Sequence, residues 1–194
     1  MNVIESNTSA SVRNCESFES VIKDPDAWLR QASQMLMAVE ILTTGFVGLI
    51  ERSRSMDDLD RKTGSFKLSL LALGYCSENA MKALMAKQGI IMVSEGKINP
   101  ASFGKKSGHD LVNLAKLANF KLSTEEHSLF LQLTKVIRWA GKYQAPLTTE
   151  ELINSKTNNP LTISIPRDVA VIRAIYDRVY SQIHTKINRN LESL

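Results

Sequence analysis

The chain has 194 residues, 43% hydrophobic and 23% charged, with 9 Gly and 5 Pro. That fits one globular domain with a real core and excludes collagen-like, low-complexity and disulfide-scaffold classes. The formal net charge of +4 is unevenly spread: residues 1–60 carry 5 basic and 10 acidic side chains, residues 61–194 carry 19 and 10. A basic C-terminal two-thirds points to an anionic partner.

Residues 1–24 are polar and aperiodic and read as an N-terminal arm, with the folded unit over 25–194. No apolar run there is long enough for a signal peptide. From Asp26 the pattern turns helical, with Trp28, Ala32, Met35, Val39, Leu42, Phe46 and Ile50 on one stripe. Gly45 and Gly48 weaken this helix slightly and allow a close neighbour. Gln34, Glu40, Thr43 and Thr44 interrupt its apolar run, so a buried helix explains it better than a membrane span. The charged stretch 53–64 reads as a surface connection.

A second helix is expected over 64–88, with Phe66, Leu70, Leu73, Ser77, Met81 and Leu84 on one face and Gly89 as a left-handed stop. Cys76 lies within that pattern as a small core residue. It and Cys15 read as free thiols, which suits a reducing cytoplasm. Residues 90–107 read as a loop. Its start, 90–94, lacks a partner as a lone strand; the alternative is a peripheral two-stranded ribbon with 161–165. A short helix follows Ser107–Asp110, carrying Leu111, Leu114, Ala115 and Ala118.

Ser123 and Glu126 form a capping-box signature for a fourth helix, lined by Leu129, Leu133, Val136 and Ala140 and stopped by Gly141. Thr148 and Glu151 repeat that spacing before a polar connection that ends at Pro166. The last helix is expected over 167–190, with Val169, Ile172, Tyr176, Val179, Ile183 and Ile187 inward. These patterns describe an all-α, up-and-down bundle of about five helices, with two long antiparallel helices as its spine.

Phosphate-loop, nucleophile-elbow and His-Glu-x-x-His signatures do not occur, and three scattered histidines make no metal site. No cofactor is implied. Four polar groupings remain. Glu78 and Lys82 have the spacing of an ordinary surface ion pair, although Glu78 follows the core-facing Ser77 directly. In Gly108-His109-Asp110-Leu111, Asp110 suits a helix cap, and the His109 ring can reach a neighbouring helix or an anion. Arg138, Trp139, Lys142 and Tyr143 gather cations and aromatics at a helix end. That arrangement offsets the helix dipole or serves phosphate binding and base stacking. Arg178 and His184 could hold a phosphate and move a proton. Six residues of helix separate them by about 9 Å of rise and about 120°, so a cleft between two copies would join them more easily than one chain.

The stretch Cys76-Ser-Glu-Asn-Ala-Met-Lys-Ala-Leu-Met-Ala-Lys-Gln-Gly89 is similar to the second-helix signature of HEPN-domain proteins. Gly108-His109-Asp110-Leu111 is typical of one branch, which often carries a Trp-x-x-Arg-Tyr-Pro-like segment after the next helix. Here that segment is Trp139-Ala-Gly-Lys-Tyr143-Gln-Ala-Pro146, with Lys142 in place of arginine. The resemblance covers roughly residues 26–190. It implies an all-α bundle that dimerises. It also implies either a metal-independent endoribonuclease using Arg178 and His184, or a non-catalytic role, as a partner of a nucleotidyltransferase or as a module that binds RNA or a nucleotide. Toxin–antitoxin and defence systems are the implied settings. The family usually has a polar residue after the arginine, where this chain has Val179. The favoured expectation is the binding or regulatory module, ahead of the nuclease and of a purely structural bundle that docks a partner.

Overall fold

A computed structural model describes residues 18–50, 55–104, 108–140, 149–150 and 162–185, with side chains at 45–50, 139 and 140 left aside. Its spine is a pair of long helices, α1 (Pro25–Ile50) and α2 (Met56–Lys87), which share the most extensive packing in the molecule. They run antiparallel, because Trp28 near the start of α1 meets Lys82 near the end of α2. A helical turn at 18–23 precedes α1, so the end of the expected arm is ordered. The Trp28 indole N–H donates to the Ile22 carbonyl at 2.8 Å and ties that turn down.

The start of α2 corrects the reading of 53–64 as a connection. Ser55 accepts from the Asp58 amide, and Asp57 and Asp58 occupy the first turn, where their charge complements the helix dipole. Polarity there marks a helix start. At the other end the Gly89 and Ile90 amides donate back to the carbonyls of Ala86 and Met85, and Gly89 takes φ +70° as expected. Leu73, Cys76, Ala80, Met81, Ala83, Leu84 and Met85 run fully buried through the centre of the bundle. Burial pushes the Cys76 thiol up to about 12. The unfolded chain ionises this thiol above about 9 and the fold does not. Its contribution to stability is therefore complete below that pH and is lost as pH rises toward 12. We expect Cys76 to resist alkylation until denaturant is added, read by mass spectrometry. Rapid labelling of the folded protein would contradict its burial.

Residues 90–107 are not all loop. β1 (Val93–Ser94) pairs antiparallel with β2 (Lys97–Ile98), across a turn in which Glu95 and Gly96 both have positive φ. The strand's partner lies four residues on, not at 161–165, and residues 162–164 form no strand. A 3₁₀ turn, Pro100–Phe103, follows, and the buried Ser102 hydroxyl accepts from the Met92 amide. Then come α3 (Leu111–Leu117) and α4 (Thr124–Lys135), with both bonds of the Ser123–Glu126 capping box formed. Val136–Ala140 continues α4 as a π-helical turn, which the apolar pattern did not reveal. α5 (Arg167–His184) buries Ile172, Ile175, Val179 and Ile183 against the spine. The Thr148–Glu151 reading and residues 186–190 of the expected last helix lie outside the described residues. Among the described residues the architecture is all-α apart from the two-residue ribbon, and no helix is long and apolar enough to cross a membrane.

Candidate functional site

Glu78 lies on the second-last turn but one of α2, directly after the buried Ser77, whose hydroxyl donates to the Leu73 carbonyl. This position turns its side chain inward, and Glu78 is only 5% exposed. Lys82 one turn later is 9% exposed and donates to Glu78 Oε1 at 2.6 Å. The pair is buried, which corrects the surface reading. Its spacing was legible, but its depth depends on what covers it. The cover is aromatic: Lys82 Nζ stands 5.3 Å from the ring centroids of both Trp28 and Phe103. Both contacts sit within cation–π range. Neither ring was a candidate in the sequence, because Trp28 read only as part of a core stripe and Phe103 only as loop.

The second carboxylate oxygen turns to another segment. His109 Nδ1 lies 2.8 Å from Glu78 Oε2, across 31 residues of chain. The ring itself is half exposed, with 49% of the side chain open to solvent. Three features aim it. Asp110 caps α3 by accepting from the Asn113 amide at 2.9 Å. The Leu111 amide donates to the buried Thr134 hydroxyl at 3.1 Å, which pins the corner to α4. Gly108 rests on the Phe103 ring so closely that an added Cβ would stand 3.1 Å from it. Asn113 fastens the same turn by donating to the Phe103 carbonyl.

Arg138 is exposed and follows Thr134 by four residues. It rides on the π-helical turn, an irregularity common where side chains are re-aimed. The fold therefore gathers Glu78, Lys82, His109 and Asp110. Lys142 and Tyr143 lie outside the described residues.

Arg178 and His184 are directed elsewhere. Arg178 donates to Glu126 Oε1 at 2.6 Å and stacks its guanidinium 4.7 Å from the centroid of Phe120. Glu126 is the capping-box carboxylate of α4, so this arginine clamps α5 to the start of α4. His184 Nε2 lies 3.3 Å from Asp26 on α1, and its ring meets Tyr180 at a tilt of 49°, with centroids 4.3 Å apart. Within one chain the two residues face different helices. Among the described residues no group of three or more His, Cys, Asp or Glu side chains could hold a metal.

In chemical terms the Glu78 site is a buried, neutralised carboxylate that orients a half-exposed imidazole. When Nδ1 carries the ring proton it donates to Glu78 Oε2, which sets the orientation of the imidazole. Comparison with family models, curated proteins and solved structures finds no match to this chain.

Proposed function

We propose that this protein is a HEPN-like helical module that binds RNA or a nucleotide through its phosphate groups and acts as a regulatory partner in a toxin–antitoxin or defence setting. The observation that carries this reading is the 2.8 Å contact between Glu78 and His109. It fixes a half-exposed imidazole at the corner that leads into α3. A nucleic acid contacts its protein mainly through phosphate, and cations and imidazoles are the groups that meet it. The basic C-terminal two-thirds supports the same choice. The nuclease reading has less support, because Arg178 is already held by Glu126 and Phe120. In this reading the protein pairs with itself or with a nucleotidyltransferase. Met37 and Ile41, exposed one turn apart on α1, supply apolar surface for such pairing.

The test is fluorescence anisotropy with a single-stranded RNA oligonucleotide across a salt series. Wild type should bind more weakly as salt rises. Arg138→Ala with Lys142→Ala should weaken binding at least tenfold and lower the salt slope by about 2. Binding indifferent to salt and to both substitutions would overturn the reading. RNA cleavage in chelator that is lost in His184→Ala would favour the endoribonuclease instead.

A further inference from the structure

We infer that the cavity between the starts of α4 and α5 takes an oxo-nucleobase, one whose edge carries a carbonyl beside an N–H, as in uracil and guanine. The inference rests on the RNA or nucleotide reading above and adds a base-reading site to it. The cavity measures about 440 Å3, an ordinary size for a small-molecule site. Gln132 lines it and is only 7% exposed. The Thr162 amide donates to Gln132 Oε1 at 2.7 Å, which fixes which end of the carboxamide is oxygen. Nε2 donates to the Thr162 hydroxyl at 3.1 Å, and that bond uses one of its two hydrogens. The other has no acceptor among the described residues. A buried donor left unsatisfied costs free energy that an acceptor brought into the cavity restores.

Arg167 and Glu125 line the same cavity. The buried Asp168 carboxylate accepts from the Ser164 amide and, at 2.9 Å, from Arg167 Nε. It holds the guanidinium plane and leaves the two Nη groups as donors. Glu125 Oε1 stands 3.9 Å from Arg167 Nε, too far for a hydrogen bond. A donor fork and an acceptor therefore stand side by side without satisfying each other. A carbonyl beside an N–H completes both: the carbonyl accepts from Arg167 and the N–H donates to Glu125. Adenine and cytosine carry an amino group and a bare ring nitrogen in those places, so they meet donor with donor and acceptor with acceptor. One cation against two carboxylates suits a neutral base better than a phosphate. Thr124 at this cavity and Thr134 at the His109 corner are separated by about 15 Å of helix, so the two sites are distinct.

Isothermal titration calorimetry of the full chain tests this with inosine, adenosine, uridine and cytidine, which carry no phosphate. Each purine or pyrimidine pair shares a ring system and differs at the edge that Arg167 and Glu125 would read. Inosine should bind at least tenfold more tightly than adenosine, and uridine than cytidine, because the wrong edge leaves the site's polar groups unpaired. Glu125 is exposed, so Glu125→Ala should keep the fold, verified by circular dichroism, and lose the preference. Arg167→Lys keeps a charge beside Asp168 without the fork and should lose it too. A uridine oligonucleotide that displaces inosine assigns the cavity to a base of the strand, and one that binds alongside inosine assigns it to a free nucleoside; both outcomes uphold the edge chemistry. Equal affinity for all four nucleosides, a preference that survives Glu125→Ala, or no nucleoside binding by protein that still binds RNA would overturn the inference and leave the binding reading standing. A nucleoside preference without salt-dependent RNA binding would uphold the cavity and end the phosphate reading alone.

Discussion

Replacing Glu78 by alanine should cost the fold about 3–5 kcal/mol, the loss expected when one member of a buried ion pair is removed. Lys82 would keep its charge with 9% exposure, between two aromatic rings that replace only part of a carboxylate's attraction. The His109 corner would also lose its anchor on α2. The penalty belongs mainly to the stranded ammonium, and a second variant checks this. Glu78→Leu with Lys82→Met removes both charges and fills the space, so it should recover much of the stability while leaving His109 unanchored. Urea unfolding followed by circular dichroism gives both numbers, and an unchanged m-value shows that the loss is one of stability. A loss below about 1 kcal/mol for Glu78→Ala, as in exposed helix pairs, would contradict the burial described here.

Enlarging Gly74 is the second large effect. This glycine sits on α2 where the π-helical turn crosses it, and a Cβ there would stand 2.2 Å from Ile137 Cγ2. Ile137 is completely buried, so it has little room to yield. Alanine gains about 1 kcal/mol of helix propensity at this position, which offsets part of the overpacking. Leucine gains no more and adds three heavy atoms beyond Cβ. We expect Gly74→Leu to destabilise by about 3 kcal/mol. The double variant Gly74→Ala with Ile137→Ala should cost less than the sum of its two single changes, because each relieves the other. Strict additivity would show that the two helices do not meet there.

These two residues mark how far the sequence can be read. Helix periodicity identified the bundle, because burial along α2 and α5 follows the same three- and four-residue steps as Leu70, Leu73, Met81, Ile172 and Val179. The Ser123–Glu126 box and the Gly89 stop are local devices, written within four residues, and they fold as their chemistry dictates. Polarity misled at 53–64 because acidic residues serve a helix's first turn as well as they serve solvent. The ribbon was missed because its partner lies inside the same segment and the turn depends on positive φ at Glu95, which side-chain type does not announce.

The site was legible as separate pieces. Glu78, Lys82, His109 and Asp110 could each be chosen for their chemistry. Their assembly could not, because it depends on Phe103 supporting Gly108 and on Thr134 catching the Leu111 amide. Both are long-range contacts made by residues that look ordinary in sequence. The π-helical turn is of the same kind. Its apolar spacing fits an α-helix, and the extra residue in the turn is accommodated where Gly74 lets Ile137 come close.

The most direct test of the account is a nuclear magnetic resonance titration of isotope-labelled protein with a uridine oligonucleotide. The largest chemical-shift changes should fall on the side chains of His109 and Arg138 and on the backbone of 108–111 and 138–143, with Glu78 and Lys82 following through their contact with the ring. Changes centred on Arg178, Tyr180 and His184, with the His109 resonances unmoved, would contradict it.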